Sequence, residues 1–303
     1  MIRVRFLGTA AARPTVARNV SGIAVQREGE SLLWDCGEGT QRQIMRFGTG
    51  FSFKHVFITH AHADHFLGLP GLLRTMGLQG REESLCIYGP RGSEGVLSAA
   101  VHLGVKTIPF PVEIVPLSVG EGVDFGDWSV QSFAVDHGIP ALGYLLVENE
   151  RLGRFDVGRA RDLGIPEGPL FGRLHRGEAV EVDGRTVRPE DLVGPPRPGR
   201  RLVYAGDCRP GPATVEAARG ADLLIHEATF LEEEAARARD TRHATAAEAA
   251  RVAHQAGARR LAMTHISARY SELPKVLEAE ARAVFKASKV AYDGLEVEIP
   301  YRD

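Results

Sequence analysis

The sequence predicts an α/β protein of four layers, with two β-sheets packed in the middle and helices outside. Three observations predict it. Short apolar runs of strand character alternate with helical stretches along most of the chain. Hairpin-like strands come first, and mixed strand and helix units follow. No short-period repeat is present, which argues against a solenoid or propeller. With 303 residues, the chain is long enough for one large domain or two ordinary ones. The reading is a single domain over 1–303 with an inserted arm at about 151–200.

The elements follow in order. The chain opens as a strand, MIRVRFLG, rather than as a secretion signal. Strands are predicted at 2–7, 22–26, 32–35, 54–59, 85–88, 112–117, 129–135 and 142–147, then at 201–205, 223–226, 260–264 and 295–299. Helices are predicted at about 38–47, 65–77, 92–103, 213–219, 243–256 and 273–286. Thr245-Ala-Ala-Glu248 reads as a capping box that starts one of them. Residues 151–200 depart from this pattern. They show little strand or helix periodicity and are rich in Gly, Pro and Arg, as in GIPEGPLFGRLHRGE and VGPPRPGRR. A sheet strand resumes directly afterwards, so an inserted arm is expected here rather than a linker between domains.

Composition narrows the function. Lys+Arg total 37 and Asp+Glu 39, for a formal net charge of -2. That balance excludes a protein that binds any nucleic acid by bulk charge, but not one with local basic patches. Only five of the basic residues are lysines, so 32 are arginines, whose planar guanidinium suits phosphate recognition. Residues 151–201 hold 11 arginines against 8 acids, a local excess of +3. Three cysteines, Cys36, Cys86 and Cys208, are too few for a disulfide framework, so a reduced, cytoplasmic setting is expected. No apolar run approaches the roughly 18 residues of a membrane span.

The sharpest chemical signal is FITHAHADHFLGLPG, residues 57–71. A predicted strand ends in His60-Ala-His62-Ala-Asp64-His65, four potential metal ligands within six residues. His60 and His62 are two apart, so an extended backbone points both to one side. Asp64 and His65 follow where the chain turns and can face a different point. Imidazole with carboxylate suits zinc and similar first-row ions better than magnesium. Further candidates stand at predicted strand ends: His137, Asp207, His226 and His265. Gly206 leaves room beside Asp207, whose two oxygens could bridge two ions, as an in-line displacement between two metals requires.

At these residues the sequence resembles the metallo-β-lactamase superfamily, and more closely the ribonuclease Z family. The resemblance runs through FLGTAAARPT, LLWDCGEGTQRQI, ITHAHADHFLGLPGLL, HGIPALGYLL, GDCRP, IHEATF, HATAAEAA and THISARY. It implies a metallo-β-lactamase αββα four-layer sandwich with a flexible exosite arm, and two zinc ions per subunit, with manganese or cobalt as possible substitutes. His60, His62 and His137 would hold one ion. Asp64, His65 and His265 would hold the other, with Asp207 between them. Asp64 would take the proton of the attacking water. The leaving group is an alkoxide, so an acid should assist it: His243 is the family's candidate, with Glu227 orienting it. The implied activity is removal of the 3′ trailer from precursor tRNA, leaving a 3′-hydroxyl on the tRNA and a 5′-phosphate on the trailer.

The arm would grip the folded tRNA away from the cut, since structured RNA is recognised mainly by shape and phosphates. A homodimer would let the arm of one subunit serve the other's site. The family's Pro-x-Lys-x-Arg-Asn loop reads Pro14-Thr15-Val16-Ala17-Arg18-Asn19 here, which leaves Arg18 and Asn19 as the expected RNA contacts. The family's His-Ser-Thr loop reads His243-Ala244-Thr245 and loses a hydroxyl. Two other readings compete: a hydrolase of the same superfamily acting on small phosphodiesters or lactones, and a non-catalytic RNA- or metal-binding protein. The arm argues against the first, and intact ligands at all seven positions argue against the second.

Overall fold

The structure, a computed structural model, describes residues 1–105 and 107–302. Chain contacts divide it into two units. The first comprises Met1–Val147 with Arg201–Pro300, and the second comprises Glu148–Arg200 with the last residues from Tyr301.

The first unit holds two seven-stranded sheets. One sheet runs in the order Glu296–Ile299, Ile2–Gly8, Gly22–Arg27, Glu30–Cys36, His55–Phe57, Leu85–Pro90 and Val112–Leu117. Its first half is antiparallel, and from Glu30–Cys36 onward it is parallel. The other runs Ser288–Val290, Leu261–Thr264, Leu223–Glu227, Arg201–Tyr204, Leu142–Glu148, Trp128–Ala134 and Gly122–Asp124. Its first four strands are parallel, and Leu142–Glu148 is antiparallel to its neighbour Arg201–Tyr204.

Side-chain alternation on these strands sorts the core into three layers. Val4, Phe6, Trp34 and Phe57 of one sheet meet Tyr144, Leu146, Leu202 and Tyr204 of the other between the sheets. The opposite faces carry the helices. Leu33, Val56 and Ile87 pack under Thr40–Phe47, Leu69–Leu78 and Glu94–Val101. Val203, Leu224 and Met263 pack under Ala246–Gln255 and Pro274–Val284. Successive residues Leu202, Val203 and Tyr204 face sheet, helix and sheet, which is the period of a strand buried on both sides.

The predicted strands all form, with ends shifted by one or two residues. Two short edge strands, Gly122–Asp124 and Ser288–Val290, escape the sequence reading because three residues carry too little pattern. The helix expected over 65–77 is broken into Ala63–Phe66 and Leu69–Leu78. The ladder is interrupted at Gly68, whose amide donates to the Cys36 carbonyl at 2.7 Å, and a Cβ there would lie 2.1 Å from the Gly37 carbonyl oxygen, so glycine permits the close approach.

The second unit corrects the expectation of little regular structure in 151–200. It contains helices Val157–Asp162 and Pro169–His175 and a hairpin of Val180–Val182 with Arg185–Val187. These close over a small core of Ala160, Ile165, Leu174, Val180, Val187 and Leu192. At its base, fully buried Arg200 forks onto Glu148, with Nε–Oε2 2.7 Å and Nη2–Oε1 2.6 Å. The Tyr301 ring lies 3.8 Å from the guanidinium carbons of both Arg151 and Arg200.

Candidate active site

The site gathers at the carboxyl ends of strands from both sheets, where open α/β sheets place their ligands. His60 follows His55–Phe57, Asp207 follows Arg201–Tyr204, Glu227 ends Leu223–Glu227, and His265 follows Leu261–Thr264. His137 follows Trp128–Ala134. Two contacts lock the sheets together here: the Tyr144 hydroxyl donates to the Ile58 carbonyl at 2.7 Å, and His60 bridges Ala141 in an antiparallel pair. Gly206 has φ 64° and a Cβ there would come within 2.9 Å of Thr59, so only glycine lets the Asp207 loop approach.

The residues read from the sequence as ligands come together. His60, His62 and His137 form one group of converging ligand atoms, and Asp64, His65 and His265 form a second. Asp207 lies between them. Its Oδ2 stands 3.8 Å from His60 Nε2, 3.3 Å from His65 Nε2, 3.9 Å from His137 Nε2 and 3.0 Å from His265 Nε2. His226 does not join: on its strand it faces away from Glu227 and touches Cys208 Sγ at 3.7 Å.

Neighbouring groups fix the tautomers of four of these rings. His65 Nδ1 donates to Asp35 Oδ2 at 2.7 Å, and His137 Nδ1 donates to the Arg242 carbonyl at 3.1 Å. His60 Nδ1 donates to Thr59 Oγ1 at 3.0 Å, and His265 Nδ1 to Thr229 Oγ1 at 2.9 Å; each threonine passes its own proton to a carboxylate. Four Nε2 lone pairs are thereby aimed into the site. Three imidazole nitrogens, on His60, His62 and His137, face one another across 3.0 and 3.1 Å. His65 Nε2 and Asp207 Oδ1 are buried without a hydrogen-bond partner. Lone pairs converging at such distances, with buried polar atoms left over, are what a divalent cation would satisfy. Burial and the neighbouring imidazoles hold His60 neutral, as a ligand must be.

A second pair adjoins the cluster. His243 Nδ1 donates to Glu227 Oε1 at 2.9 Å and lies 4.0 Å from Asp207 Oδ2. Glu227 is fully buried yet well supplied with donors: Cys208 N at 2.7 Å, Thr229 Oγ1 at 2.6 Å and Ala244 N at 3.0 Å. Burial pulls the His243 imidazole down, but the Glu227 carboxylate outweighs it and the group is pushed up to about 9. The expected capping box forms, with Thr245 Oγ1 accepting from Glu248 N and Glu248 accepting from Thr245 N. Beside His243 and His265 opens a cleft of about 450 Å³ lined by Arg13, Arg237 and Arg269. Among the described residues no carboxylate lines it.

Arg18 requires a correction. It is 4% exposed, and its guanidinium donates inward to Thr9 Oγ1 at 2.7 Å and the Ala291 carbonyl at 2.6 Å. It braces the loop instead of presenting a charge to RNA. Asn19 is likewise engaged, its amide donating to the Glu38 carbonyl at 2.9 Å and its backbone N–H to Asp293 at 2.6 Å. Sequence reasoning also passed over Asp35, which accepts from the Thr59 amide, His65 and Tyr204 and holds φ 56°. The available signal was an acid ending the apolar run LLWD inside a buried strand.

The model of the metallo-beta-lactamase superfamily matches residues 15–152, and that of the beta-lactamase superfamily domain matches 192–266. The chain is 55% identical over 305 residues to ribonuclease Z of Myxococcus xanthus, covering 100% of this chain and 99% of that one. The chain belongs to the ribonuclease Z family. It is 56% identical over 299 residues to ribonuclease Z of Gemmatimonas aurantiaca, covering 98% and 95% of the two chains. The crystal structure of human tRNase Z, short form, superposes with a TM-score of 0.70 at 29% identity, covering 98% of this chain and 99% of that one. The fold is therefore that of the metallo-β-lactamases, and its His and Asp groups suit a divalent metal. Among the described residues no helix is long and apolar enough to cross a membrane.

Proposed function

We propose that this chain is a zinc-dependent endoribonuclease that cuts precursor tRNA to release the 3′ trailer. The observation that carries this reading is the juxtaposition of the seven-ligand cluster with the His243–Glu227 pair, in a chain of the ribonuclease Z family. His60, His62 and His137 would hold one ion, Asp64, His65 and His265 the other, and Asp207 would reach both. Two such ions supply charge neutralisation at the scissile phosphate and make water a stronger acid.

The chain's own groups do the rest. Asp64 Oδ2 accepts the Ala12 amide at 2.8 Å, which fixes the carboxylate that receives the water's proton. A 3′-hydroxyl on the tRNA places the leaving oxygen on the tRNA side of the cut, rather than on the nucleotide downstream. His243, held protonated by Glu227, donates to that ribose 3′-oxygen. The arginine-lined cleft at His243 suits the flanking phosphates. The arm, Glu148–Arg200, serves as the exosite for the tRNA body, and a homodimer presents it to the partner's site. The setting is the cytoplasm.

The test is incubation of the protein with a 3′-extended tRNA transcript, with and without a chelator, and mapping of the cut. Chelator-sensitive cleavage just after the discriminator base is expected. Intact transcript beside rapid hydrolysis of a small phosphodiester would overturn the reading in favour of a small-substrate hydrolase.

A further inference from the structure

We infer that Arg209 is a positioning residue for His243, holding its peptide directly and its loop through Glu248. The inference rests on the reading of His243 as the leaving-group acid.

Glu227 sets the angle of the His243 ring, but a ring is only as well placed as its backbone. His243 lies on the short loop between helices Ala235–Asp240 and Ala246–Gln255. Arg209 comes from a different element, two residues beyond Asp207. Its own amide donates to the Asp136 carbonyl at 2.8 Å, next to His137. Its Nη1 donates to the His243 carbonyl. Its fork then closes on Glu248, at 2.6 Å to Oε1 and 3.0 Å to Oε2. Glu248 is itself tied to the loop, since it accepts the Thr245 amide at 2.9 Å. One planar guanidinium thus joins the Asp207 loop, the His243 peptide and the first turn of the following helix. A point charge could not hold three partners in one plane.

Helix stability does not account for this arrangement. The helix start is already satisfied by Thr245 and Glu248 acting on each other. The pair also borders an open cleft of about 580 Å³ shared with Arg219 and Arg251, so its attraction is partly screened. What the Arg209 fork adds is a fixed distance between a cluster carboxylate and the acid beside it.

Leaving-group chemistry tests the inference. A ribose alkoxide needs a proton to depart, whereas the nitrophenolate of bis(p-nitrophenyl) phosphate hardly does. H243A sets the benchmark, with a much larger loss on pre-tRNA than on the ester. R209M should lower kcat on pre-tRNA by about tenfold to hundredfold, the scale of a misplacement near 1 Å. KM should stay within about twofold, the ester should lose far less, and metal content should be unchanged. R209K should recover part of the loss. E248Q, at a residue bonded to Arg209 and Thr245 and to no proposed metal ligand, should repeat the pattern more weakly. R209M/H243A should be no slower than H243A, and amides 241–245 should exchange faster in R209M. Equal losses on both substrates, additive losses in the double variant, or unchanged exchange would overturn it. If H243A itself fails to distinguish the substrates, the acid reading falls, and this inference falls with it.

Discussion

The ligand cluster and the inserted arm are both dense in charged side chains, and they dispose of that charge in opposite ways. In the cluster, charge is buried and converges. His60, His65, Asp207 and His265 are almost fully enclosed, and the Asp207 Oδ2 atom lies within 4.0 Å of five imidazoles. Such a set cannot exchange partners without disturbing the loops that hold it. In the arm, apart from the buried Arg200–Glu148 pair, charge is exposed and paired locally: Arg161 with Glu167 at 2.6 Å, Arg173 with Glu178 at 2.9 Å, and Arg188 with Glu190 at 3.7 Å. Pairs of this kind contribute about 0–1 kcal/mol each, so a phosphate backbone can displace the acid at little cost. On this contrast we propose that the cluster supplies the chemistry and the arm the affinity.

The largest expected effect breaks the chemistry alone. Asp207→Ala removes the carboxylate proposed to reach both ions and should reduce turnover by roughly 10³-fold or more, on pre-tRNA and small phosphodiesters alike. Metal content, measured by elemental analysis, should fall with it, while tRNA affinity by filter binding holds. Retained turnover would contradict the bridging role.

Deletion of about 155–195 is the converse. It should lower kcat/KM on pre-tRNA by roughly 10²-fold, the loss of several phosphate contacts, and spare hydrolysis of a small chromogenic phosphodiester. Mixing the deleted chain with an Asp64→Ala chain should restore pre-tRNA cleavage if a dimer exchanges arms. Parallel loss of both activities would show the arm to be part of the catalytic fold instead of an exosite.

A milder perturbation leaves the arm in place but loosens its base. Glu148→Ala removes the carboxylate that fully buried Arg200 forks onto, and breaking a buried pair in this way typically costs about 3–5 kcal/mol. The loss should appear locally, as faster amide exchange and proteolysis within 151–200, with the pre-tRNA KM raised and the small ester unaffected. Unchanged protection in the arm would mean that the Arg200 fork is not what orders it.

These regions also differ in how much of them the sequence discloses. The seven proposed ligands are legible because their chemistry is in the side-chain type and four of them are neighbours in the chain. The groups that orient them are not. Asp35 supports His65 across 30 positions, and Thr229 meets His265 across 36. Thr and Asp at such separations carry no local signature. Arg18 shows the reverse error: its type suggests phosphate, and only burial against Thr9 and Ala291 reveals a brace. The arm's short helices were hidden because a six-residue core under Gly- and Pro-rich sequence leaves almost no periodicity to read. The central strands were plain, since each presents apolar side chains to both faces.

The smallest expected effect concerns the loop that Arg18 braces. Val16 stands at its tip, fully exposed, where the family pattern carries lysine. With Arg18 turned inward, the loop offers no charge at that point, and the balance between regions shifts further toward the arm as the source of affinity. Val16→Lys should therefore tighten pre-tRNA binding by only about two- to fivefold at low salt. It should steepen the dependence of log K on log salt by about 0.7–0.9, the share of one added phosphate contact. Because Val16 packs against nothing, stability and small-ester turnover should not change. If the salt slope stays flat while the arm-deleted chain still binds weakly, the loop tip does not face the RNA, and affinity belongs to the arm and the arginine-lined cleft alone.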